Sequence, residues 1–215
     1  MKKILPRYMG DFRTKKTYYS PSQYDFYPSS GWATHIVNGK KESLDVVTSI
    51  PLQMNSENYF AAQLATMIIN DAVSSSISQE QIYLESSFEY DVFPHDRYSL
   101  ILSVNPLSKS ALSYDEASAI SSSFLIRTAL DDVTSKPINA NLLNVYKKQL
   151  IVNYASKQQN PLYWLNAISA KYSDAKDLNS SYSQKINSIS VEKVKSIIEE
   201  LDKGSKLEYI VTVEN

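Results

Sequence analysis

Two histidines, His35 and His95, are the only imidazoles in 215 residues, and the chain has no cysteine. Imidazole is what a general base, a proton shuttle or a zinc ligand ordinarily uses near neutral pH, so these two positions bound the chemistry. His35 sits in the strand-like run THIVNG and His95 in the turn-like run FPHDRY. Neither belongs to an HEXXH or HXXEH arrangement, the spacings that put two ligands and a glutamate base on one helical face. His95 beside Asp96 offers part of a serine triad, yet such a pair between Pro94 and Arg97 reads as turn chemistry. Glu85, Glu89 and Asp91 could work as paired carboxylates, but alternation along a strand makes them its wet face. Four glycines leave no GXGXXG, P-loop or GXSXG sequence for cradling phosphate or exposing a serine. Without cysteine there is no disulfide, thiol nucleophile or thiolate metal site. Read from its residues, the chain specifies no self-contained catalytic site, no metal site and no cofactor.

Composition narrows the partners. With 22 basic and 23 acidic residues the net charge is −1, which lacks the basic field that nucleic acid or an anionic membrane requires. The lysine pairs at 2–3, 15–16 and 40–41 read as solvated surface. The opening MKKILPRYMGDF begins basic, but Pro6 and Arg7 interrupt any apolar run, so no signal peptide is expected in this chain. No stretch is long enough to span a bilayer. The compartment of the parent protein stays open between bacterial periplasm and cytoplasm. A 43% hydrophobic and 21% charged composition is that of a globular protein with a real core. Sixteen tyrosines and repeated serine runs read as a compositional habit, not a motif.

The elements that would position any site follow from periodicity. Residues 1–30 are rich in tyrosine, serine and proline without either period, and read as an interdomain linker or N-terminal arm; its tyrosines pack either on this domain or on a neighbour. Residues 31–215 read as one α+β domain. Trp32–Val37 and Ser43–Leu52 are expected strands around a turn at Asn38-Gly39, with Leu44, Val46, Thr48, Ile50 and Leu52 on one face. A helix capped at Asn55-Ser56 buries Phe60, Leu64, Met67 and Ile68 and fades at the serines near 74. Gln81–Phe93 and the run through Tyr98, Leu100, Leu102 and Val104 alternate as paired antiparallel strands. Ser113 to Glu116 is a capping box for a helix turning Ala117, Ile120 and Phe124 to the sheet.

Next come two helices joined at Asn160-Pro161. Leu143, Tyr146, Leu150 and Tyr154 face inward in the first, with Lys147 and Lys148 opposite. In the second, Trp164, Ile168 and Tyr172 recur at four-residue spacing and are expected in the core rather than as a ligand platform. Ser190 caps a last helix with the stripe Val191, Val194, Ile197, Ile198 and Leu201, Gly204 stops it, and Leu207, Tyr209, Val211 and Val213 form a final strand. The expected architecture is an antiparallel sheet covered on one face by helices.

In order and spacing these segments resemble the C-terminal, non-catalytic domain of the insulinase/pitrilysin family of zinc metallopeptidases. ILPRYMGDF resembles the helix ending the preceding domain, VNGKKESLDVVTSIPL the opening hairpin, and SENYFAAQLATMIINDAVS the helix after it. IYLESSFEYDVFPHDRYSLILSVNP resembles the paired strands. The stretch from Asn139 to Tyr172, then INSISVEKVKSIIEEL, resembles the closing helices.

The resemblance implies a peptidase-like fold that helps form a chamber around an unfolded peptide. It also implies that zinc and the glutamate base lie on an HXXEH helix in a catalytic partner domain or subunit, with no cofactor in this chain. Some such domains hold the substrate backbone with an arginine and a tyrosine. Tyr83 in QIYLES matches the tyrosine by position and is the one substrate-binding residue carried over. Ser76, Ile77, Ser78 and Gln79 occupy the arginine's window, so that half of the clamp is missing. The expected function is a non-catalytic domain that shapes the chamber and positions peptide, with no enzymatic activity of its own. The alternative is a non-enzymatic scaffold or protein-interaction domain of the same fold, or capture of a peptide as an added strand on an open sheet edge.

Overall fold

Alternating side chains build the sheet. The computed structural model describes residues 31–39, 43–77, 82–91, 96–106, 116–174 and 177–212. Five strands, β1 (Gly31–Asn38), β2 (Ser43–Pro51), β3 (Ile82–Asp91), β4 (Arg97–Pro106) and β5 (Ser205–Thr212), lie in the order β1-β5-β2-β4-β3. The even-numbered residues of β2 and β4 face the helices: Leu44, Val46, Tyr98, Leu100, Leu102 and Val104 are fully buried. The odd positions form a half-open face, where Ser49 and Ser99 exchange a 2.9 Å hydrogen bond and Ser103 donates to Asp45 at 2.5 Å.

The helices are α1 (Ser56–Ile77), α2 (Glu116–Ser135), α3 (Ala140–Lys157), α4 (Pro161–Asp174), α5 (Tyr182–Ser188) and α6 (Val191–Lys203). Side chains set their starts, as side-chain oxygens satisfy first-turn N–H groups. Asn55 accepts from Asn58 N–H at 2.8 Å, Asn139 from Asn141 at 2.9 Å, Asn160 from Leu162 at 2.9 Å, and Ser190 from Lys193 at 3.1 Å. The proposed capping serine, Ser113, lies outside the described residues. The break between α3 and α4 falls at Asn160-Pro161, as the sequence predicts.

The α+β class holds, but the sheet is mixed. β5 pairs parallel with β1 and antiparallel with β2, so β1 and β2 do not form the expected opening hairpin. Strand pairing answers to long-range burial, and β5 brings Ile210 into the core while its two neighbours saturate both of its edges. α1 does not fade at Ser74. It runs to Ile77 because Val73 and Ile77 are buried, while Ser75 and Ser76 donate to the carbonyls of Asp71 and Ala72.

Two helix faces differ from expectation. In α2, Ile120 and Phe124 are 53% and 68% exposed, and Ser122, Ser123, Ile126, Ala129 and Leu130 are buried instead. Small serines let the helix sit close to β5, where Ser123 meets a buried acid. In α4, Trp164 is 38% and Ile168 52% exposed, so these two are not core; Tyr172's side chain lies outside the description. Both faces of α4 carry apolar residues, and the phase that packs is the one presenting Tyr163. Lys147, expected on the solvent side, is buried and donates to Ile189 O at 2.5 Å and Asn187 O at 3.2 Å, tying α3 to the end of α5.

Gly204 ends α6 as expected, its N–H donating to Glu200 O at 2.8 Å, yet its φ of −66° is open to any residue. Space is what requires glycine there. A Cβ at 204 would lie 2.7 Å from Ser49 O and 2.9 Å from Ile50 Cγ2 on β2. Gly204→Ala therefore forces α6 away from β2 and is expected to cost about 1–3 kcal/mol in chemical denaturation.

Candidate functional site

Three places have geometry that could carry function. The first is the edge and open face of the sheet, where the sequence puts its candidate residues. Tyr83 lies in β3 opposite Asn105 of β4, and its side chain is outside the description. β3 pairs with β4 alone among the described residues, and no other described strand lies along its second edge. Glu85 and Glu89 are exposed on this strand, four residues and so about 13 Å apart, too far to act as a carboxylate pair. His35 is exposed on β1 opposite Tyr209 of β5, at the other end of the strand order; His95 lies outside the described residues. Among the described residues no three histidine, aspartate or glutamate side chains cluster as metal ligands would. The described residues do not fit a zinc centre.

The second place is a groove of about 280 Å³ between β1, β5 and α2, lined by Thr34, Ile120, Phe124, Arg127, Glu208 and Ile210. Glu208 points from β5 under α2, its side chain 2% exposed. Arg127 grips it with Nε at 3.0 Å and Nη2 at 2.5 Å, Thr34 donates at 2.9 Å, and Ser123 donates to the other side of the carboxylate. The Arg127 guanidinium also lies 4.1 Å from the centroid of the Trp32 ring, within cation–π range. Burial pushes the Glu208 carboxyl up, but the bonds from Arg127, Ser123 and Thr34 and the charge of Arg127 outweigh it. The net shift is below the ordinary glutamate range. A carboxylate held ionised by four donors is a poor proton shuttle. Its chemistry is structural: it fixes β1, β5 and α2 together.

The third place is aromatic. Nine rings form one continuous chain of contacts from the sheet outward: Tyr98, Tyr90, Phe88, Tyr59, Phe60, Tyr182, Tyr154, Tyr163 and Trp164. Tyr98 is fully buried, its hydroxyl 2.5 Å from Thr66 Oγ1 and 3.2 Å from Ala62 O on α1. Tyr154 and Tyr182 stack at 3.8 Å with rings 7° from parallel. Between α1, α4 and α5 these rings leave a pocket of about 180 Å³. Burial, then the neighbouring phenols Tyr154 and Tyr59, raises Tyr163 to about 12, and burial raises Tyr182 further. Tyr163 and Tyr182 stay neutral at physiological pH and serve as walls and donors, not nucleophiles. Sequence reading missed the pocket because tyrosines 59, 154, 163 and 182 share no spacing; their common signal is only that each stands on an inward helical face.

No protein-family model matches this sequence and no curated protein matches it. Solved structures do. The chain is similar to the periplasmic protease PqqL from Escherichia coli, with TM-score 0.68 and 11% identity over 86% of this chain and 21% of that one. It is similar to the ferredoxin protease FusC, solved with Arabidopsis ferredoxin, with TM-score 0.62 and 14% identity over 87% of this chain and 21% of that one. A peptidase M16 inactive domain from Pseudomonas fluorescens matches with TM-score 0.54 and 12% identity over 87% of this chain and 46% of that one. The chain thus has the fold of an insulinase/pitrilysin-type (M16) peptidase domain, and it spans about a fifth of the first two proteins it resembles.

Because the folded Glu208 value lies below its unfolded value of 4.5, the network stabilises the fold at neutral pH and loses that contribution as pH falls below about 4.5. Glu208→Gln leaves Arg127, which is 38% exposed and so partly screened, without its charge partner. It is expected to cost about 1–3 kcal/mol at neutral pH and to flatten the acid limb of a stability-against-pH curve measured by urea unfolding.

Proposed function

We propose that this chain is a non-catalytic domain or subunit of an insulinase/pitrilysin-like zinc peptidase. In this reading it forms part of the chamber wall and holds peptide in register for a zinc-bearing partner of the same fold. The carrying observation is the likeness over 86–87% of the chain to a periplasmic protease and to a peptidase M16 inactive domain. The sequence supports it, since 215 residues contain two histidines and no HXXEH. Zinc and the glutamate base then belong to the partner. Holding a peptide in register is a catalytic contribution in its own right, because it removes orientational freedom before the chemical step. The edge of β3 offers backbone groups to an extended peptide, and Tyr83 on that strand is the residue proposed to touch it. The net charge of −1 supports a peptide or protein partner over nucleic acid or membrane.

A second reading, a scaffold or interaction domain without any part in catalysis, is favoured by one observation. Val145 and Val152 on α3 and Leu162 and Leu165 on α4 are 57–68% exposed, a larger apolar display than an isolated domain needs.

The purified chain is expected to retain substoichiometric zinc after dialysis and to leave a fluorogenic peptide uncut. Mixed with its zinc-bearing partner, it is expected to raise peptidase activity above that of the partner alone, and Tyr83→Phe to raise KM. Stoichiometric zinc together with cleavage by the chain alone overturns the proposal. Binding to the partner with no gain in activity selects the scaffold.

A further inference from the structure

The pocket between α1, α4 and α5 has a chemistry of its own, set by four kinds of group. Its walls are the rings of Tyr59, Phe60, Tyr163 and Tyr182, the faces and edges that stack on a flat or aliphatic side chain. Inside stands Gln63, whose amide donates to the Tyr59 hydroxyl at 3.4 Å and whose buried carbonyl oxygen has no hydrogen-bond partner among the described residues. A buried acceptor left unpaired is costly, so an N–H or O–H donor brought beside it is favoured. Asn179 accepts from the Tyr163 hydroxyl through its carbonyl oxygen and lines the same pocket, where its amide is a further donor group. Lys157, the last residue of α3, lines it as well; it is exposed, and its ammonium has no ion-pair partner among the described residues.

Rings, an unpaired amide acceptor, a cation and an amide donor lining one pocket make a complementary set. We propose that this pocket binds an aromatic amino-acid residue ending in a free α-carboxylate: the side chain enters between the rings, the residue's N–H donates to Gln63 Oε1, and Lys157 and Asn179 take the carboxylate. A volume of about 180 Å³ suits one large side chain and excludes a folded segment. The same chemistry is offered by the C-terminus of a peptide and by a free aromatic amino acid. The site lies on the helical layer, separate from β3, and it needs no zinc partner. Its failure leaves the chamber reading standing, and the reverse is also true.

The test is calorimetric titration of the full chain with three probes: Ala-Ala-Gly-Phe with a free carboxylate, the same peptide ending in an amide, and free phenylalanine. The acid peptide is expected to bind at sub-millimolar to millimolar concentration and the amide about tenfold more weakly, the loss of one charge-assisted contact. Lys157→Met, at an exposed position, is expected to erase that difference without changing the melting temperature, and Ala167→Phe, which fills the pocket, to abolish binding of all probes. Free phenylalanine binding as tightly as the peptide identifies the free amino acid as the ligand; binding of the peptide alone identifies a C-terminus. Equal affinity for acid and amide, an unchanged Lys157→Met, full binding by Ala167→Phe, or no binding by any probe at millimolar concentration overturns the inference.

Discussion

A single carboxylate, that of Glu208, holds the sheet in the order observed. Its strand arrives last in the chain and must enter between β1 and β2, which leaves neither of those two strands complete until it does. The carboxylate then takes donors from β1 (Thr34) and from α2 (Ser123 and Arg127), so the arrival of β5 locks a strand and a helix at once. Burying an ion costs several kcal/mol, and only a full set of donors offsets that. The need for those donors explains why α2 turns serines to the sheet and leaves Ile120 and Phe124 outside. The neighbouring lysine on β5, Lys206, follows the same logic: it is 5% exposed, pairs with Asp202 at 3.3 Å and lies 5.5 Å from the Trp32 ring centroid.

The other half of the layer depends on rings rather than charges. Tyr98 anchors α1 to β4 through its hydroxyl, and the chain of aromatic contacts carries that anchoring outward to α4 and α5. Phenols suit this work, since each buries a large apolar face and still offers one polar atom to a neighbour. They also leave a cleft where helices diverge, so the same residues that hold the outer helices create the pocket beside Gln63. Lysines finish the outer layer: Lys147 closes on the carbonyls at the end of α5, and Lys195 of α6 reaches the last carbonyls of α2, including Val133 O at 3.3 Å, and Lys136 O just beyond it at 3.0 Å.

Where reading the sequence succeeded, the signal was local. Asn55, Asn160 and Ser190 cap the helices they were expected to cap, because a side-chain oxygen meets an N–H two or three residues away whatever the rest of the fold does. The alternation of β2 and β4 placed Leu44, Val46, Leu100 and Leu102 correctly for the same reason. The errors lie where two faces were comparably apolar. Trp164 and Ile168 keep perfect helical spacing and still point outward, since spacing fixes which residues share a face and says nothing about which face finds a partner. Tyrosine, read as a habit of composition, turned out to be the material of the outer core.

The sequence by itself determined the α+β class, the starts of the helices capped by Asn55, Asn160 and Ser190, the inner face of each central strand and the lack of an HXXEH zinc sequence, all carried by residues close together in the chain. Tertiary structure alone decided that β5 separates β1 from β2, that Glu208 and Lys206 are buried, that Gly204 is required by space rather than by its backbone angle, and that four tyrosine and phenylalanine rings from three helices enclose one pocket. Each of these depends on residues that meet only after long loops close: 174 positions separate Thr34 from Glu208, and no local period can encode that distance.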